Sequence, residues 1–342
     1  MFLRSSPLIS SAAVFPALAL LPTPAQAHVK WFCAFDMAGA PVGLENVLCQ
    51  DFEQLFGLSL ALLLIGCIIE GTALGTAMLR SLDAVTGLLR RHTEGMVRLV
   101  AGGFFLSLWA WMHVLLTPEL STDLAFVPWL QLAMAASMLS RRTLPLASLG
   151  IIVLFGIAVR QYGAFHLMDY PVFLGLAAYL ACIGLQRSPL GVRPLDLLRW
   201  AAAITLMWAS IEKWAYPQWT FPVFISHPGM NFGFDIAFYM RAAGVVEFAL
   251  AFALLGTPLV RRSAAVILTA MFTAAVAEFG FIDGIGHSCI IAVLLAVVAD
   301  DARGRAWRWT TLMLPVNYSA ALATFLAAYY GLHMAMFSGA ML

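Results

Sequence analysis

Residues 141–163 read RRTLPLASLGIIVLFGIAVRQYG: two arginines, an apolar run over 144–159 unbroken by any ionisable side chain, then Arg160 and a polar end. A basic gap followed by a run near the roughly 20 residues needed to cross a bilayer is the signature of a membrane helix with its arginines held on one side. Working outward, the same pattern recurs. It predicts an all-α, polytopic transmembrane bundle of about ten spans after signal removal, at 55–79, 96–116, 124–140, 144–159, 171–186, 196–212, 236–255, 263–281, 287–299 and 312–335.

Composition agrees. With 62% hydrophobic residues, 11% charged residues and a mean hydropathy of +0.89, there is too little polar surface to cover a soluble body of 342 residues. The lipid bilayer is therefore the expected partner. The net charge of +1 is sorted by side and not gathered into a basic face, which disfavours nucleic-acid binding.

Sidedness follows from the cations. Fourteen of the nineteen Lys and Arg residues fall in alternate gaps: Arg80, Arg90, Arg91 and Arg98; Arg141 and Arg142; Arg187, Arg193 and Arg199; Arg261 and Arg262; Arg303, Arg305 and Arg308. Positive charge resists translocation, so these gaps are assigned to the cytoplasm and both mature termini to the extracytoplasmic side of a bacterial-type inner membrane. Residues 1–27 read as a signal peptide, with Arg4, an apolar core over Leu8 to Leu21 and a small-x-small ending at Ala27. The competing reading is an uncleaved first helix, against which stand Pro16 and the short core. The remainder divides into an extracytoplasmic lead segment (28–54), an N-terminal helical bundle (55–190), a second bundle (191–300) and a C-terminal helix (301–342).

Cys33 and Cys49 both fall in the lead segment, where an oxidising compartment favours a disulfide worth about 3 kcal/mol by loop entropy. A redox or metal-binding pair is the alternative. A faint internal repeat is also visible. Met96 opens MVRLVAGGFFLSLWAWMH and Leu197 opens LLRWAAAITLMWASIEKW, while Arg141–Arg142 and Arg261–Arg262 each open a span with an Asp and a His beyond its end: His166 and Asp169 in one case, Asp283 and His287 in the other. A four-plus-four helix duplication accounts for this, with chance similarity of apolar sequence as the alternative.

Ionisable groups inside a bilayer cost several kcal/mol unless paired or hydrated, which directs attention to Glu70, Glu247 and Glu278. Antiparallel packing would bring Lys213 toward Glu247 or Glu278 with His287 at the mouth of an outward-facing pocket; these four are the catalytic candidates. The competing reading is a helix-locking ion pair with no substrate, His287 then capping a helix. His113, His166, His227 and His333 fall on the same outer half and His92 on the inner. The loop WAYPQWTFPVFISHPGMNFGF, 214–234, is rich in rings. It is read either as an interfacial aromatic belt or as a wall for a quinone headgroup, with Glu212, Trp214 and Trp219 as cofactor-binding candidates. No CxxCH, dinucleotide fingerprint or P-loop occurs, so electrons would come from a partner protein or a diffusible donor.

Over about 192–300 the chain resembles the DoxX and DoxX-like family of small four-helix membrane proteins. The resemblance is carried by LLRWAAAITLMWASIEKWAYP, AAGVVEFALAFALLG and RRSAAVILTAMFTAAVAEFGFIDGIGHS. It implies a four-helix bundle and, through members associated with thiosulfate-to-quinone electron transfer, a quinone-linked redox component. The five preceding helices, the final helix and the HVKWF lead depart from a minimal member. Two alternatives are kept. A new N-terminus at His28 would offer an amine and an imidazole to copper, as in a copper-handling or assembly factor. Alternatively, the glycines at 280, 284 and 286 would interrupt a helix, as in a small-molecule or ion transporter.

Overall fold

The structure is a computed structural model that describes residues 36–37, 39–302 and 307–337. The long helices are α1 (Gln50–Glu70), α2 (Ala73–Val85), α3 (Gly87–Trp111), α4 (Val127–Ser137), α5 (Leu144–Tyr162), α6 (Pro171–Leu185), α7 (Pro194–Ala215), α8 (Ile236–Ala253), α9 (Pro258–Phe279), α10 (Phe281–Ala299) and α11 (Trp307–Phe337). Proline opens α6, α7 and α9, where its missing N–H costs nothing. The described residues contain no β-strand beyond one isolated bridge, Val114 to Ser121. Among the described residues six helices are long and apolar enough to cross a membrane: α1, α5 with its leading arginines, α8, α9, α10 and the 311–337 part of α11. The fold is all-α and multi-pass in character.

Three expectations about span limits change. The run 55–79 is two helices: Thr72 caps the start of α2 by accepting a hydrogen bond from Gly75 N (3.3 Å), and Gly75 sits so close to the backbone of Ile69 and Glu70 that no side chain fits. The arginine-bearing stretch expected as a loop over 80–98 is largely helical, because α2 and the first third of α3 run through it. The run 124–140 yields only the 11 residues of α4, about 16 Å of helix against a hydrocarbon core of about 30 Å. Nearby, α3 ends at Trp111. There Met112 and His113 adopt positive φ and send Leu115 and Leu116 into the core, and the Gln131 amide donates to Val114 O at 2.6 Å and Leu115 O at 2.9 Å.

Helices α3 to α10 pack in sequence, each on the next, and α10 returns to α3; α7 also touches α10 across this ring. Helices α1 and α11 lie outside on α8, α9 and α7, with largely apolar exposed faces. The apolar core falls in two parts, one around α7, α8, α9 and α11 and one around α3 to α6, which meet at α7 and α10.

The described arginines of the alternate gaps gather at one end, and most are engaged, while Arg160 and Arg241 lie at the other. Arg262, fully buried, donates to Asp83 at 2.5 Å, to Val298 O and to Thr86; Arg193 pairs with Asp300 (2.9 Å) and Asp196 (2.7 Å); Arg261 reaches Asp300 at 3.2 Å; Arg90 pairs with Asp301 at 2.8 Å. Arg98 donates to Met138 O, the terminal carbonyl of α4, and Arg199 donates to Leu254 O, the terminal carbonyl of α8. Each guanidinium thus satisfies a carbonyl that the helix itself cannot. Glu70 belongs to this end too: its carboxylate accepts from Leu259 N at 2.9 Å and caps α9, so its place inside an apolar run has a structural reason.

Candidate functional site

At the opposite end of the ring lies a partly enclosed cavity of about 220 Å³ walled by α6, α7, α8, α9 and α10. Its position follows from how closely α7 and α8 pack. Gly244 of α8 faces the indole of Trp214, where a Cβ would overlap the ring, and Trp214 Nε1 donates to Arg241 O at 3.2 Å. With the helices that near, Lys213 in the last turn of α7 extends to Glu247 in the middle of α8, and Nζ lies 2.6 Å from Oε2. A cation in the last helical turn also complements the helix dipole.

Glu212, Lys213, Glu247, His287 and Trp219 all line the cavity. His287 stands one turn beyond Asp283 on α10, with Nδ1 3.0 Å from Oδ1 but not aligned for a hydrogen bond. Asp283 is fully buried, and the His287 imidazole stands beside its carboxylate. Trp219 stacks on Tyr216 with centroids 4.0 Å apart and planes within 6°. The Tyr216 hydroxyl meets His333 Nε2 and Gly39 O, both at 2.8 Å, and His333 Nε2 lies 3.0 Å from Met37 O. Val42 N donates to Ala215 O, and Tyr330 donates to Val42 O. The lead segment and α11 therefore brace the aromatic mouth.

Two candidates lie elsewhere. Glu278 is exposed near the end of α9 and does not reach the cavity, because α9 presents Phe272 to it and turns Glu278 outward. Trp214 is buried, and its role in the fold is to fill the notch at Gly244. Gly284 and Gly286 are helical residues of α10, and the chain turns between α9 and α10 at Gly280 alone (φ +84°), so the glycines do not unwind a span. His28 and Cys33 lie outside the described residues, as do the signal segment and the pairing of Cys33 with Cys49. Cys49 itself precedes α1 as its cap. Among the described residues no group of His, Cys, Asp and Glu is arranged to hold a metal ion.

The cavity also contains residues absent from the candidate set: Asp169, buried just before α6, with Thr117, Tyr170 and Tyr216. Behind Asp169, buried His166 approaches the buried carboxylate of Glu119 at 3.9 Å. A signal for Asp169 was present, since the repeat aligns His166 and Asp169 with Asp283 and His287, and both pairs come to this end of the ring. The resulting site offers an ammonium donor, an imidazole and several carboxylates within walls of Phe173, Phe272, Tyr216 and Trp219. That arrangement suits a flat ligand carrying polar atoms at its edge. Comparison with protein-family models, curated proteins and solved structures gives no match.

Proposed function

We propose that this chain is a DoxX-like, multi-pass inner-membrane protein that binds a quinone headgroup in the Lys213–Glu247 cavity as a component of membrane electron transfer. The observation that carries the reading is the Lys213 ammonium, 2.6 Å from Glu247 and held beside stacked Tyr216 and Trp219 in a cavity of about 220 Å³. Drug-sized ligands occupy roughly 300 Å³ or more, so this space suits a single substituted ring, with any isoprenoid tail left among the helices. In this reading Lys213 donates to a quinone oxygen, where negative charge develops on reduction. Two electrons from a partner protein or diffusible donor and two protons convert quinone to quinol. Glu247 and the Asp283–His287 pair are placed to pass those protons.

Topology enters the same proposal. The arginine end faces the cytoplasm, the cavity opens on the extracytoplasmic side, the signal segment is removed, and α3, α4, α6 and α7 bring the six apolar helices to about ten spans, with α2 lying at the arginine end. A four-plus-four duplication of α3–α6 and α7–α10 is supported by Arg98 and Arg199, at equivalent places in the two halves, each capping the following helix. It is supported further by first-to-fourth helix contacts in both: Phe104 stacks on Phe173 at 5.6 Å, and α7 packs on α10.

The test is a titration of purified protein with a short-tailed benzoquinone, read by quenching of Trp219 fluorescence. Saturable quenching that disappears in Trp219→Phe and weakens at least tenfold in Lys213→Met supports the reading. Equal affinity in Lys213→Met would remove it.

A further inference from the structure

The arginine end carries a second feature that the quinone reading does not use. Between the first third of α3 and the turn joining α4 to α5 lies an open cleft of about 640 Å³, lined by Arg91, His92, Glu94, Gly95, Arg98, Leu139, Arg141 and Arg142. Two of its four guanidiniums are spoken for. Arg141 forks onto Glu94 at 2.7 and 2.6 Å, and Arg98 donates to the same carboxylate at 3.0 Å and to Met138 O at 2.9 and 2.7 Å. Glu94 is the one carboxylate in the lining, so its charge is shared by these two. Arg91 and Arg142 are exposed and have no ion-pair partner among the described residues, and His92 is exposed beside them. The cleft thus keeps an excess of cationic donors.

Its other property is apolar. Leu139 lines the same cleft with 85% of its surface exposed, and along the adjoining α5 Leu146 and Leu149 are 62% and 59% exposed. Because the span begins at Arg141, this is where charged surface gives way to lipid-facing surface. Gly95 forms part of the floor, where an added Cβ would meet no atom within 4 Å.

We propose that this cleft is a binding site for the phosphate headgroup of an anionic phospholipid, with Arg91 and Arg142 donating to the phosphate oxygens and an acyl chain lying on Leu139 and Leu146. Guanidinium forks match phosphate oxygens in geometry and charge. A soluble phosphate compound shares that headgroup chemistry, but the leucine track continuing from the cleft selects the lipid. The site is independent of the quinone cavity, which lies at the other end of the ring.

Native mass spectrometry of the full chain in neutral detergent tests the assignment, using phosphatidylglycerol and phosphatidylcholine of identical acyl chains, with inorganic phosphate as competitor. The wild type binds phosphatidylglycerol at least tenfold more tightly. Arg91→Ala with Arg142→Ala loses roughly fivefold for each arginine and erases the headgroup preference. Gly95→Leu fills the floor without changing charge and weakens phosphatidylglycerol binding while leaving the thermal midpoint no lower than that of the wild type. Equal binding of the two lipids by the wild type would overturn the proposal, as would an unchanged preference in both the double variant and Gly95→Leu. Displacement of the lipid by millimolar phosphate would also overturn it, reassigning the cleft to a soluble phosphate compound.

Discussion

Lys213 Nζ lies 2.6 Å from Glu247 Oε2, joining the C-terminal turn of α7 to the middle of α8 at the edge of a cavity that both helices line. Removing one partner of such a pair leaves a charge with no counter-ion in a weakly polar place, which costs more than removing both. Lys213→Met is therefore expected to lower stability by about 2 kcal/mol, discounted because the lysine keeps some solvent access. Lys213→Met combined with Glu247→Leu is expected to recover most of that loss while leaving quinone affinity low. Thermal midpoints and quinone titrations on the two variants separate structural pairing from ligand recognition.

Glu278 provides the matching control. It is exposed and does not line the cavity, so Glu278→Gln is expected to change stability by less than about 0.5 kcal/mol and leave quinone affinity at the wild-type value. Isothermal titration of the variant checks this directly.

Gly244 sets the distance between α7 and α8. A methyl group there must displace the Trp214 ring, so Gly244→Ala is expected to cost about 1–3 kcal/mol and to weaken ligand binding. Gly103→Ala on α3, where the new Cβ meets open space, is expected to be neutral or stabilising by up to about 1 kcal/mol. Paired melting curves distinguish close packing from helix propensity as the reason for glycine.

Asp300 links Arg193 and Arg261 just beyond α10. Burial pushes its carboxyl upward, but hydrogen bonds from Arg193 and the charges of Arg261 and Arg193 outweigh this and hold it below the ordinary carboxylate value. A carboxylate depressed on folding adds stability above its unfolded pKa of about 3.9 and loses that contribution as pH falls through the folded value. Stability should thus decline as pH drops below about 4, and Asp300→Asn should flatten that decline while lowering stability at pH 7. Unfolding midpoints from pH 3 to 7 on both proteins test it.

The helical class was legible because apolar runs and arginine gaps alternate regularly, and the approach of Lys213 to an acid on a neighbouring antiparallel run was legible too, with Glu247 and Glu278 both open as its partner and Glu247 the one it meets. The break at Gly71–Thr72 is missed when Glu70 is placed as an acid inside one long span, although Gly71 and the Thr72 cap mark a helix boundary; the shortness of α4 was hidden because the apolar run continues past Ser137 to Leu139. Placement of Glu278 depended on the rotational phase of α9, which an apolar helix with lipid on one side does not reveal. Trp214 read as part of an aromatic mouth because spacing along a loop carries no information about the glycine it faces on another helix. Glu70 looked like an unpaired intramembrane acid for a similar reason: its partner, Leu259 N, lies far along the chain.

The most direct measurement is photolabelling with an azidoquinone, followed by peptide mapping of the site of attachment. The account predicts labelling within 213–219 and 283–290, protected by excess short-tailed quinone and lost in Lys213→Met. Label confined to the lipid-facing residues of α1 and α11, and indifferent to competing quinone, would contradict it.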